Sequence, residues 1–245
     1  MNLQQHVSRD GNIQTTPTGW RLVISKKSNK QYRLAQMDDH TRLPRRKYAA
    51  HPPLTICLRA RASSESIPGT WGFGLWNNPF GLSLGFGGNP FSLPALPNAI
   101  WFFHASAKNY LSFRDDKPAH GFLAQTLSSP HFHPAQFSIG FLLSFSKKKA
   151  RQWLSRIIQE DSALVGVDVT QWHTYRLEWR PNRSAFWADE TLVLDTPVSP
   201  RPPLGLVIWI DNQYAAFTPE GKIKRGSEEN LSEAWLEIEN VEIMK

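Results

Sequence analysis

The chain has one cysteine, Cys57, so an internal disulfide is excluded. Cys57 sits between Ile56 and Leu58 in a strand-like run and is expected to be inert packing. No run of about 18 apolar residues occurs, which excludes a transmembrane helix. The opening string MNLQQHVSRDGNIQ lacks the apolar segment of a secretory signal, and a cytoplasmic address is the expectation. Blocks of one charge are also missing. The net charge is +7, but the cations fall in short clusters at 42–47, 147–151 and 222–225. No nucleic-acid-binding motif accompanies them, so no nucleic-acid partner is expected and the clusters are read as solvated surface. Internal repeats and low-complexity tracts are absent too.

What is present is aromatic and alternating. The 245 residues include 10 tryptophans and 14 phenylalanines. A buried aromatic side chain hides roughly 150–250 Å², so most of these rings are expected in a core. Period-two alternation marks strands. It is clear at 54–62, where Leu54, Ile56, Leu58, Ala60 and Ala62 share a face, and at 172–180, where His173, Tyr175, Leu177 and Trp179 do. Further strands are expected at 20–25, 32–37, 70–77, 99–105, 110–113, 122–127, 184–188, 191–195, 204–210 and 235–243. Gly72 and Gly74 fall on the face of Trp76, the pattern of a close backbone or ligand approach. One helix is expected at 147–160, because Ala150, Trp153, Leu154, Ile157 and Ile158 recur on one side. Residues 1–18 are polar and expected to form a flexible arm before a single domain at 19–245. Residues 38–46 read as a charged loop and 79–98 as a long loop of the functional kind.

The string W-H-x-Y-x-L-x-W-x-P-x-x-x-x-F-x-x-D-x-x-L-V begins at Trp172. A proline break at 197–203 and an apolar strand follow it. With GTWGFGLW at 69–76, this resembles glycoside hydrolase family 16, the laminarinase and lichenase type, over residues 53–245. The resemblance implies an all-β fold: a concanavalin A-like β-sandwich (jelly roll) of two curved antiparallel sheets, with one α-helix inserted near 147–160. A retaining mechanism needs two carboxyls about 5–5.5 Å apart. The family carries them as E-x-D-x-E or E-x-D-x-x-E on one strand. Here that slot falls at 97–104, and Ala99, Trp101, and Phe103 or His104 stand where acids should. No catalytic residue is carried over. Glu237, Glu239 and Glu242 have suitable letters, but lie on the last strand, away from the cleft.

Two functions are set beside the plainer reading of a binding or structural protein with no chemistry. The first is a carbohydrate-associated binding protein with a concave cleft lined by Trp76, Asn77, Asn78, Trp101, Phe103, His104, Trp209, Asp211 and Asn212. The second is a small-molecule enzyme of cyclase or isomerase type, holding an apolar substrate in the same cleft. Asp211, His104 and Asp115 are its candidates for proton transfer. The apolar stretch 137–145 and the helix would cover the cleft, and residues 137–158 could touch a membrane surface. His131 and His133 form half of a metal site without a third ligand. Neither metal nor cofactor is expected.

Overall fold

A computed structural model of the chain describes residues 3–8, 10–79, 95–131 and 146–245. It is an all-β jelly roll of two curved antiparallel sheets with an inserted helix. The front sheet runs, in spatial order, β1 (Gln4–Val7), β4 (Leu34–Asp38), β13 (Gly205–Asp211), β6 (Thr70–Trp76), β7 (Ala99–Ala105), β8 (Gly121–Ser128) and β9 (Gln159–Leu164). The back sheet runs β12 (Thr191–Thr196), β11 (Arg183–Ala188), β10 (His173–Arg180), β5 (Leu54–Ala62), β16 (Ala234–Met244), β3 (Gly19–Ile24) and β2 (Gly11–Thr15). A hairpin of β14 (Gln213–Phe217) and β15 (Ile223–Ser227) stands apart.

The core lies between the sheets, and alternation decides which residues enter it. On β5, Leu54, Ile56, Leu58, Ala60 and Ala62 are all buried. On β10, Tyr175, Leu177 and Trp179 face the front sheet. Tyr175 meets Phe102 at 5.0 Å and Phe73 at 5.3 Å between ring centroids, both tilted. Such pairs add roughly 0.5–1.5 kcal/mol beyond the area they bury. β13 is buried along its whole length, as its continuous apolar run predicts.

Several expectations are corrected. The described residues within 1–18 do not form the expected arm: β1 pairs with β4 and β2 with β3. Both are short, polar edge strands, which carry little apolar signature. The helix, α1, spans Lys147–Ile157 and stops at an extended Ile158. The chain then enters β9, a strand whose QEDSAL sequence has no strand propensity. Residues 110–113 are not a strand; Tyr110 makes one isolated bridge to Ala216. The β14–β15 hairpin was not anticipated. Nor is 38–46 simply a solvated loop, because Asp38 and His40 are fully buried. The stretch 137–145, His133, and most of the loop at 79–98 lie outside the described residues. No helix among the described residues is long and apolar enough to cross a membrane.

Candidate functional site

The site is built on the outer face of the front sheet. Strand alternation turns Trp76 on β6, Trp101 and Phe103 on β7, and Trp209 on β13 to that face. Their rings form one cluster. Trp76 stacks on Trp209 at 6.5 Å and 6°, Trp101 lies 5.9 Å from Trp76 and 5.4 Å from Trp209, and Phe103 lies 5.4 Å from Trp101. Phe103 and Trp209 are buried and form the floor, while Trp76 and Trp101 are half-buried. Gly72 pairs with Trp209 across β6 and β13. A methyl group on Gly72 would lie 2.9 Å from Trp209 Cη2, so the bare backbone gives the ring its place.

Each indole N–H is held by a polar relay. Trp76 Nε1 donates to His40 Nε2 at 2.9 Å, and His40 Nδ1 lies 3.1 Å from the Leu206 carbonyl. Trp101 Nε1 donates to Gln125 Oε1 at 3.0 Å, and Gln125 Nε2 donates to Glu160 Oε1 at 3.1 Å. Trp209 Nε1 donates to Thr70 Oγ1 at 2.9 Å, and that hydroxyl donates to Asp211 Oδ1 at 2.9 Å. An indole nitrogen only donates and a carboxylate only accepts, so the chemistry fixes the direction of the last two relays. The three rings are locked in orientation.

Burial raises the Glu160 carboxyl above its usual range, against the opposing pull of the Phe113 amide and Gln125. Burial also lifts Asp211 to about 7, against hydrogen bonds from Thr70 and the Gln213 amide. Asp211 therefore does not reach solvent at a strand end; it ties β6 and β14 together from a buried position.

The remaining expected residues divide sharply. His104 is adjacent to Phe103, so alternation sends it into the core, where it stacks on Trp71 at 5.4 Å. There burial pulls its imidazole down to about 4. It does not line the cleft. Asn212 is fully buried and clasps the Gln31 and Glu228 carbonyls and the Arg33 amide. Asn77 bonds the Leu96 carbonyl and the Asn98 amide across its loop. Asn78 has a left-handed backbone, φ 43°, and its carbonyl accepts from Arg45. Asp115 is exposed and paired with Arg151 at 2.6 Å. It lines a cavity of about 440 Å³ that Phe113, Ile158 and Glu160 also line. His131 is exposed. Glu237 and Glu239 pair with Arg61 and Arg59 on the back sheet.

The outward positions of β7 are Ala99, Trp101, Phe103 and Ala105, and none is an acid. Among the described residues, no group of three or more His, Cys, Asp or Glu is placed to hold a metal ion. Sequence inspection missed His40, Thr70, Gln125 and Glu160. Gln125 carried a weak signal, as the polar residue in the alternating FLAQTL run; His40 in a charged loop carried none.

No protein-family model and no curated protein sequence matches the chain. Solved structures similar to it include a legume lectin-like domain from Entamoeba histolytica, at 11% identity over 100% of this chain and 90% of that one, TM-score 0.49. A Bacteroides ovatus mixed linkage glucan GH16 protein in complex with a G4G4G3G product is 11% identical over 99% and 94%, TM-score 0.49. A putative β-glucanase from Mycobacterium abscessus is 15% identical over 91% and 75%, TM-score 0.46. At such identities no activity carries over to this chain. The class is set by its own two sheets: a jelly-roll β-sandwich with an aromatic outer face on the front sheet.

Proposed function

We propose that this chain is a carbohydrate-associated binding protein that seats a neutral ring on Trp76 and Trp101. The supporting observation is the set of three indoles whose N–H groups are satisfied inside the protein. What a ligand meets at the half-buried pair, Trp76 and Trp101, is then ring surface rather than an open N–H. Sugar C–H faces stack on such surfaces. Rings that are already immobile lose little entropy on binding. Among the described residues, the Glu160 carboxyl behind Trp101 is engaged by Gln125 and the Phe113 amide, which suits a neutral ligand. Binding rather than hydrolysis is supported by Ala99, Trp101 and Phe103, which stand where the resembled family carries its carboxyl pair.

The alternative, a cyclase- or isomerase-type enzyme for an apolar molecule, is favoured by Leu34, Leu123 and Val207 on the same face. It is weakened by the positions of Asp211, His104 and Asp115, which all lie off the ring pair. Calorimetric titration with neutral β-glucan oligosaccharides, beside a thermal-shift screen of apolar aromatic metabolites, separates the two. Saturable binding of a glucan is the expected result; a shift with apolar compounds alone overturns it.

A further inference from the structure

His40 is fully buried. Its two ring nitrogens have partners of opposite kind. The Leu206 carbonyl can only accept, so Nδ1 must carry a proton to bond it at 3.1 Å. The Trp76 indole can only donate, so Nε2 must be bare to accept at 2.9 Å. Only the neutral Nδ1–H tautomer satisfies both. A proton on Nε2 would set two donors against each other.

We infer that His40 is a positioning residue for Trp76: its neutral Nδ1–H form holds the indole in the orientation of the ring platform, and protonation of Nε2 releases it. This rests on the platform proposed above for its functional meaning, but not for its chemistry. Asp39 Oδ1 lies 3.5 Å and Asp38 Oδ1 3.8 Å from Nδ1. Asp38 is also met by His6 Nε2 at 3.3 Å from β1. The Tyr48 ring packs at 4.8 Å, its phenol pushed up to about 12 by burial, so it stays neutral. Arg45 beside it is spent on the Asn77 and Asn78 carbonyls. Gly205 lies flat against the imidazole, where a methyl group would collide with the ring, and this leaves His40 little room to turn away.

The test needs no ligand. Nitrogen-15 NMR of the full chain should show His40 as the Nδ1–H tautomer, its signals assigned by their loss in His40→Gln. The Trp76 indole N–H, assigned by its loss in Trp76→Phe, should move as the solution is acidified through the His40 titration. In His40→Gln the amide oxygen can still accept from Trp76 but cannot titrate, so that resonance should stay fixed. A Nε2–H tautomer in the wild-type chain overturns the inference. So does a Trp76 N–H that ignores the titration of His40. If a variant does not fold, through-bond correlation of the His40 ring and Trp76 indole signals to their own backbone amides assigns them in the wild-type chain, and the wild-type spectra decide. Correct tautomer and response without glucan binding would leave His40 orienting Trp76 and overturn the binding proposal instead.

Discussion

The indole of Trp209 and the carboxylate of Asp211 share one hydroxyl: Thr70 Oγ1 accepts from the first and donates to the second, each at 2.9 Å. The two residues sit two apart on β13 and lean on the first residue of β6. A buried acid thus serves as the anchor of a ring platform, and its charge state becomes a stability term.

That term has a definite sign. Asp211 titrates at about 7 in the folded chain, raised by burial from an ordinary value of 3.8. Between these values the native state binds more protons than the unfolded chain, so the stability Asp211 supplies falls as pH rises through the window. Asp211→Asn keeps an acceptor for Thr70 and the Gln213 amide and removes the charge. The variant should gain on the order of a few kcal/mol over wild type at pH 8, and much less at pH 5. Urea unfolding at both values checks this; an equal effect at the two would refute it.

Trp101 is half-buried and fixed by Gln125. Trp101→Ala should weaken binding of a β-glucan oligosaccharide at least about tenfold, equivalent to about 1.4 kcal/mol. The midpoint of thermal unfolding should fall only modestly. A large loss of stability with unchanged affinity would make Trp101 a packing residue and nothing more.

Gln125 bridges the Trp101 N–H and the Glu160 carboxyl. Gln125→Leu strands the Trp101 N–H and removes one of the hydrogen bonds that hold the buried Glu160 carboxylate. Each unsatisfied buried group costs about 1–3 kcal/mol, so a loss on the order of 2–4 kcal/mol is expected. Glu160→Gln should cost less: its oxygen can still accept from Gln125 and burial no longer opposes a charge, which offsets the loss of the acceptor for the Phe113 amide. Paired denaturant curves measure both, and the reverse order would show that the relay is incidental.

These polar relays mark the boundary of what the sequence disclosed. Apolar alternation predicted β5 and β10 well, because a sandwich core rewards period two directly, and a continuous apolar run predicted β13. The same rule, applied strictly, separates Phe103 from His104 and would have kept the latter out of the cleft. β9 escaped notice for the opposite reason. Its outward Glu160 and Ser162 are polar yet buried, and burial of that kind is set by Gln125 and Phe113, residues distant in the chain. The helix boundary failed with it: Ile158 continues the helical apolar stripe but serves as the cap before the strand. Asp211 and Asn212 were legible as polar residues at a strand end. Their role as clasps depended on Thr70, Arg33 and Glu228, which no local pattern links to them.

The glycine signal in β6 makes the last test, because it separates space from ring chemistry. Gly72 lies beneath Trp209, and an added methyl group would press on the Phe102 carbonyl oxygen as well as on Trp209 Cη2 at 2.9 Å. The ring could tilt away, but the carbonyl belongs to the β6–β7 ladder and can move only by disturbing their pairing. Overfilling a packed site typically costs about 1–3 kcal/mol, and Gly72→Ala should fall in or above that range. Gly166 is the internal control, since nothing lies within 4 Å of a methyl group there. Gly166→Ala should change stability by less than about 0.5 kcal/mol. If both substitutions prove equally mild, the strand can shift to make room, and Gly72 is not what seats Trp209 against Trp76.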